Sequence, residues 1–130
     1  MLDQAERRWQ TSKPSEYLMT VVMEGDRVER GEFEVEVHGD AVTSLKRNGL
    51  TLNPAAGKDY SVDGLFRIIR DEVDLAKTPS LFGAPTGYSA YLMASFDGST
   101  GRLKHYRRSV GGISNSIDIE VLKFEVSSSK

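Results

Sequence analysis

The fold is decided by residues 16–45, which read EYLMTVVMEGDRVERGEFEVEVHGDAVTSL. Residues 17–23 are apolar at both alternating positions, which is typical of a central strand covered on both sides. After a turn at residues 25–27, residues 32–37 alternate strictly between glutamate and an apolar residue, which predicts a strand with one buried and one solvated face. This stretch therefore predicts a fold built mainly on antiparallel strands.

A hairpin is predicted at Gly39-Asp40, because the spacing suits a two-residue loop that places Val37 opposite Val42. Turn-forming residues over 48–57 then predict a loop of about ten residues before the next regular element. Residues 48–57 are thus expected to lack regular structure.

Two helices are predicted outside this region. Apolar residues on one side of the N-terminal segment indicate a short helix near residues 3–12, with Trp9 buried against the sheet. A second helix is predicted to begin after the N-cap Ser61, because apolar residues then recur at helical spacing. Thr78-Pro79 is expected to end it.

Three further strands are predicted at residues 88–96, 102–108 and 117–126, joined as a meander. In the last strand the alternation changes phase near Val121, which predicts a bulge. The predicted fold class is α+β: a mainly antiparallel sheet of about six strands in the order helix, three strands, helix, three strands, with helices packed on one face. Residues 1–130 are expected to form a single domain.

Composition excludes several classes of function. Seventeen basic and nineteen acidic side chains leave a net charge of -2, which argues against nucleic acid as the partner. Because there is no cysteine, disulfides and thiolate chemistry are excluded. No stretch approaches the roughly 20 apolar residues of a transmembrane helix. The N-terminal residues lack the apolar run of a signal peptide, so the protein is expected to be cytoplasmic or to have lost a leader.

No motif identifies a catalytic, cofactor-binding or metal-ligating residue. His38 and His105 lack the spacing of helical metal ligands. Residues 87–91 superficially suggest a nucleophile elbow, but Tyr91 stands where the last glycine belongs and a strand follows. Residues 111–112 lack the strand-to-helix setting of a dinucleotide site. The motifs therefore predict no cofactor.

The first candidate contact surface is a basic segment, defined as Arg102, Lys104, His105, Tyr106, Arg107 and Arg108. Cations interleaved with an aromatic residue can hold a phosphate or an acidic partner. The favoured interpretation is structural: the basic segment pairs across the sheet with an acidic row, defined as Glu32, Glu34 and Glu36. This interpretation requires Arg102, Lys104 and Arg108 to share one solvent-facing side with the acidic row.

The second candidate contact surface contains Tyr91 and Met93. Both project from one face of the strand at residues 88–96, whereas the small residues Ala90 and Ala94 lie on the other face and could accept a helix. If nothing covers Tyr91 and Met93, their face is a contact surface for a protein partner or an apolar ligand. The equal alternative is a second core.

The pattern also resembles one known family. The resemblance is carried by Trp9 with Tyr17, by residues 60–66 (YSVDGLF), by Gly87-Tyr88 and by residues 119–124. The family consists of small exported bacterial proteins and lipoproteins classified only as a domain of unknown function. Its pattern has a Trp, a Ser-Tyr strand, a Thr-Val-Asp-x-Leu-Phe helix start and a Gly-Tyr-Pro segment. The resemblance implies a location outside the cytoplasm and brings no catalytic residues.

These observations leave three hypotheses. The leading one is a non-enzymatic binding or protein-interaction domain of an exported protein, which uses one sheet face or the loop at residues 46–60. The alternative is a small enzyme or metal-binding protein whose site is assembled from distant residues such as His38, His105 and scattered carboxylates. The third is a nucleic-acid binder that uses the basic segment, with salt-sensitive binding.

Overall fold

The computed structural model describes residues 2–26, 30–39, 41–53 and 59–126. Helix α1 spans Leu2–Ser12 and helix α2 spans Val62–Ala76, followed by a short 3-10 helix at Pro79–Phe82. The described residues also form seven strands: β1 (Glu16–Gly25), β2 (Gly31–His38), β3 (Ala41–Arg47), β4 (Leu50–Leu52), β5 (Ala90–Phe96), β6 (Leu103–Val110) and β7 (Ile117–Val126). Neither helix in this described part combines the length and apolar character that crossing a bilayer requires.

All seven strands belong to one antiparallel sheet with the order β4-β3-β2-β1-β7-β6-β5. The predicted fold class, with about six strands grouped three and three between helices packed on one face, is therefore wrong in strand number and arrangement. The two predicted sets of strands are halves of a single sheet, because β1 pairs with β7. This pairing joins distant parts of the chain, and local sequence patterns do not encode it.

The seventh strand is β4, which lies where the turn-forming residues predict a loop. Asn48 and Gly49 have positive φ angles of 50° and 86°, so the chain reverses in a tight hairpin between β3 and β4. An Asn-Gly pair is itself a hairpin signal, but β4 contains only three residues and leaves little alternation to recognise. Of the loop predicted to begin here, residues 54–58 lie outside the described residues.

β1 is the central strand, as predicted, but it is covered on one face only. Tyr17, Met19, Val21 and Met23 are buried, at most 3% exposed, whereas Leu18 on the other face is 42% exposed. The expectation of cover on both sides is therefore wrong. We call the side of the sheet that carries Tyr17, Met19, Val21 and Met23 the buried face. The side that carries Leu18 is the open face.

The predicted register features of the sheet are confirmed. Val37 lies opposite Val42 in the β2–β3 hairpin, whose residue Asp40 lies outside the described residues. In the β1–β7 pair, the partners step from Lys123 to Val121, so that Leu122 is the extra residue of a bulge. This bulge explains the phase change seen in the sequence of β7.

α2 begins where the sequence predicts. The Ser61 hydroxyl accepts a hydrogen bond from the Gly64 N–H at 3.0 Å, which satisfies one free donor of the first turn. Leu65, Phe66 and Ile69 are at most 2% exposed and form part of the main core. Phe66 stacks on Phe96 of β5 with ring centroids 5.8 Å apart, so α2 supports the outermost strand directly.

α1 is held to the sheet by its only tryptophan. Trp9 is fully buried, as predicted, and meets Tyr17 and Phe124 edge-on with centroids 5.7 and 6.0 Å away. The turn between β5 and β6 also touches α1: a Cβ on Gly101 would lie 2.8 Å from the Trp9 backbone nitrogen. Because Gly101 also has a φ of 84°, glycine suits this contact.

Candidate interaction site

The structure does not assemble the basic segment into one surface. Arg102 covers the ring of Phe124, with its guanidinium carbon 4.9 Å from the centroid. Lys104 is the extra residue of a bulge in β6 and is exposed. Arg107 lies on the open face, 3.8 Å from Asp118. The positively charged side chains of this segment thus point in different directions and do not form one patch.

Tyr106 and Arg108 are buried and are not surface contacts. They are 1% and 5% exposed, and both point from β6 toward Glu72 of α2. Arg108 Nη1 lies 2.6 Å from Glu72 Oε2, and the Tyr106 hydroxyl donates to Glu72 Oε1 at 2.9 Å. The prediction that Arg108 shares a solvent-facing side with Lys104 is wrong, because the bulge at Lys104 breaks the alternation of the strand.

Asn115 completes this buried polar cluster. Its side-chain oxygen accepts from Arg108 Nη2 at 3.1 Å, and its amide nitrogen donates to the Phe82 carbonyl at 2.8 Å. The Arg108 guanidinium also lies 4.4 Å from the Phe82 ring centroid. Burial and the negative charge of Glu72 raise the pKa of the Tyr106 phenol, which therefore stays a proton donor. The cluster is a structural anchor that ties β6 to α2.

The acidic row does not pair with the basic segment. β1 and β7 lie between β2 and β6, so the two strands are separated by three strand spacings, about 14 Å. Instead, Glu34 lies opposite Lys46 of β3, and Arg107 lies opposite Asp118 of β7. Neighbouring strands thus supply the opposite charges, and the predicted pairing of the two rows is wrong.

The two histidines lie in separate hydrogen-bonded pairs with carboxylates on the open face. His38 contacts Glu16 at 2.7 Å and Glu36 at 3.3 Å, and His105 contacts Asp118 at 2.7 Å. Hydrogen bonds that His38 donates to these two glutamates raise the pKa of His38. In the described part of the chain, no group of three or more His, Asp or Glu residues is arranged to hold a metal ion.

These pairs lie far apart along the sheet. His38 is opposite the first residue of β1, whereas His105 is opposite Glu120, which pairs with Val22 near the end of β1. Six residues of strand correspond to about 20 Å. The structure therefore does not bring the two histidines together in one site.

A polar cleft of about 240 Å³ lies beside the N-terminus of α2, and no sequence pattern predicts it. The Tyr17 hydroxyl accepts from the Val62 N–H at 3.1 Å, and burial raises the pKa of this phenol. Asp59 accepts from the Ser61 hydroxyl at 2.8 Å, and Asp63 accepts from the Gln10 amide at 2.6 Å. These contacts fix the start of α2, so the cleft has a structural explanation.

The outer edge of β5 is a further candidate site. β5 pairs with β6 on one side, and no strand among the described residues lies on its other side. Its seven residues, AYLMASF, include no charge and no proline. Proteins usually protect such an edge with charges, proline or a very short strand, because free N–H and C=O groups there can pair with another chain.

Apolar groups are available on both faces of β5. Tyr91 and Met93 lie on the open face and are 63% and 71% exposed, so no second core covers them in the described part of the protein. On the buried face, Leu92, Ala94 and Phe96 line an apolar groove of about 370 Å³. Its helical side is formed by Leu2 of α1 and by Ile69 and Val73 of α2.

Comparison with known proteins gives a family but no activity. Residues 1–89 match the model of a family of unknown function, DUF6174. No curated protein matches the chain. The matched region includes α1, β1 to β4 and α2, and it ends just before β5.

Proposed function

The chain belongs to DUF6174, a family of unknown function, and we propose that it is a non-enzymatic protein-interaction domain that binds an extended partner segment at the edge of β5. One observation carries this proposal: β5 is a seven-residue, uncharged edge strand with apolar side chains available on both faces. Export of the protein stays a prediction that rests on the sequence resemblance.

The backbone of β5 supplies the general affinity in this proposal. In an antiparallel sheet, alternate residues of an edge strand direct their N–H and C=O groups away from the sheet. An added strand pairs these groups with its own backbone, as in other cases of strand addition. β6 is anchored to α2 by the buried pair Arg108–Glu72, so the edge is presented on a fixed support.

Side chains supply the selectivity. Successive residues of an added strand point alternately to the two faces of the sheet. One set would lie beside the apolar groove near Phe96 and Val73, and the other would lie beside Tyr91 and Met93. The expected ligand is therefore an extended segment with apolar residues on both sides and few charges.

A displayed library of random linear peptides tests this function. We expect the protein, immobilised at low density, to select peptides with apolar residues at alternating positions. Met93→Lys should abolish their binding, because it places a charge in the middle of the edge. Thr51→Lys is the matched control, since it adds the same charge to exposed β4 at the opposite edge.

Amide hydrogen exchange locates the bound peptide. Addition of a selected peptide should slow the exchange of β5 amides, while β4 amides are unchanged. The proposal fails if no peptide is selected, if Met93→Lys binds the selected peptides equally well, or if protection appears elsewhere than β5.

A further inference from the structure

We propose that the segment bound at this edge is β5 of a second copy of the chain, paired antiparallel about Met93. This inference rests on the proposed function and names its partner. It follows from the sequence of β5, AYLMASF, and from the position of that strand at the end of the sheet.

Symmetry restricts how two β5 strands can meet. When two identical edge strands pair antiparallel, a two-fold axis perpendicular to the sheet relates the two copies. The buried faces of both copies therefore lie on one side of the joined sheet, and their open faces lie on the other. Directly opposed residues share a face, so one residue must face its own copy, with the axis midway between the two copies. With the axis at Met93, the central residue of Ala90–Phe96, all seven residues of both strands overlap.

Side-chain volumes also favour this register. With the axis at Met93, Met93 faces its own copy and the other opposed pairs are Tyr91 with Ser95, Leu92 with Ala94, and Phe96 with Ala90, so Tyr91, Leu92 and Phe96 each face a small residue. An axis at Leu92 would oppose Leu92 to itself and Tyr91 to Met93, with only residues 90–94 overlapping. An axis at Ala94 would oppose Leu92 to Phe96. The sequence of β5 is therefore self-complementary about Met93.

The buried face of the strand pair closes the apolar groove. The partner copy would place its Leu92 beside Ala94, next to Phe96 and near Val73, which is 37% exposed in the single chain. Each copy supplies one strand and one groove, so both grooves are covered at once. The second copy thus pairs with the free backbone groups of β5 and at the same time covers the exposed apolar side chains of the groove.

The open face adds apolar contact without charge repulsion. The two Met93 side chains would face each other across the axis, flanked by the two Tyr91 rings. No residue of β5 carries a charge, and the Arg107 side chains of the two copies would be three strand spacings apart, about 14 Å. Screening at physiological salt weakens repulsion over that distance.

Sedimentation velocity over a concentration series provides the first test. We expect the native chain and Thr51→Lys to form dimers with the same concentration dependence. Met93→Lys places two like charges directly opposite each other and should weaken dimerisation by roughly tenfold or more. Because Met93 is 71% exposed, the variant should keep the native circular dichroism spectrum.

Cysteine cross-linking tests the register itself, and the native sequence has no cysteine to interfere. Under mild oxidation, Met93→Cys should form a covalent dimer, since each residue 93 faces its own copy. Tyr91→Cys alone should not, because the two equivalent positions would be about 14 Å apart along the strands. A mixture of Tyr91→Cys and Ser95→Cys should form the mixed dimer.

Three results would overturn self-pairing: a native chain that stays monomeric throughout the series, a dimer unaffected by Met93→Lys, or cross-linking of Tyr91→Cys as fast as that of Met93→Cys. A monomeric chain whose β5 still binds selected peptides would overturn the second copy as partner while leaving the proposed function in place. A dimer that survives Met93→Lys, together with failure to select any peptide, would overturn both.

Discussion

The two edges of the sheet are built differently. β4 contains three residues and follows a tight turn at Asn48-Gly49, beside the cations Lys46 and Arg47 of β3. β5 contains seven residues without a charge. A short edge near positive charges offers little backbone for pairing, whereas a long uncharged edge is a template for another strand.

The support beneath the edges differs as well. β5 and β6 contact α2 through the stacked rings of Phe66 and Phe96 and through the buried Arg108–Glu72 pair. β4 pairs with β3, and its Leu50 is 72% exposed. Contacts with α2 hold the unprotected edge of β5 in a fixed geometry, and this is why the proposed binding site is β5 rather than β4.

The largest expected effect comes from breaking the support of β5. Glu72→Leu leaves the buried guanidinium of Arg108 without its partner and should reduce the free energy of unfolding by about 3–5 kcal/mol. The double variant Glu72→Leu/Arg108→Met removes both charges and should lose much less. Urea denaturation of the two variants checks this, and equal losses would contradict a coupled pair.

Phe66→Ala tests the apolar part of the same support. Phe66 is fully buried and stacks on Phe96 of β5, so the substitution should cost about 3–5 kcal/mol in unfolding free energy. Val73→Ala, on the same helix but 37% exposed, is the control and should cost less than Phe66→Ala. A loss below about 1 kcal/mol for Phe66→Ala would show that this helix face does not support the edge.

Periodicity predicted both helices and the bulge in β7, and the length of the hairpin loop predicted the β2–β3 register, because each depends on residues close in sequence. It also placed Tyr91 and Met93 together on one face of β5, but it left open whether a second core covers that face, on which both side chains are exposed. It did not predict the burial of Arg108, because a bulge at Lys104 shifts the alternation by one residue. Nor could it show that β5 is an edge, since this follows from the distant pairing of β1 with β7.

A change at the other edge should have a smaller effect. Gly49 has a φ of 86° in the β3–β4 turn, so Gly49→Ala should cost about 1 kcal/mol and loosen β4. Hydrogen exchange of β4 amides should accelerate while β5 amides keep their protection. If β5 amides are affected equally, the two edges are coupled and the comparison between them is wrong.

The smallest effect is expected from pH and concerns the β4 side of the sheet. Hydrogen bonds to Glu16 and Glu36 raise the folded-state pKa of His38 above 6.5, its ordinary value. A raised pKa means that protonation favours the folded state: this stabilisation is complete below the unfolded pKa and is lost as pH rises through the folded pKa.

The native chain should therefore lose a little stability above pH 6.5 relative to His38→Gln, which lacks the titrating group. Urea midpoints of both proteins across this range measure the difference. Since His38 lies on the exposed face of the β1–β2 pair, far from β5, the His38→Gln substitution should leave any pairing at the β5 edge unaltered. If the native chain and His38→Gln show the same pH dependence, the Glu16–His38–Glu36 contacts contribute nothing to folding.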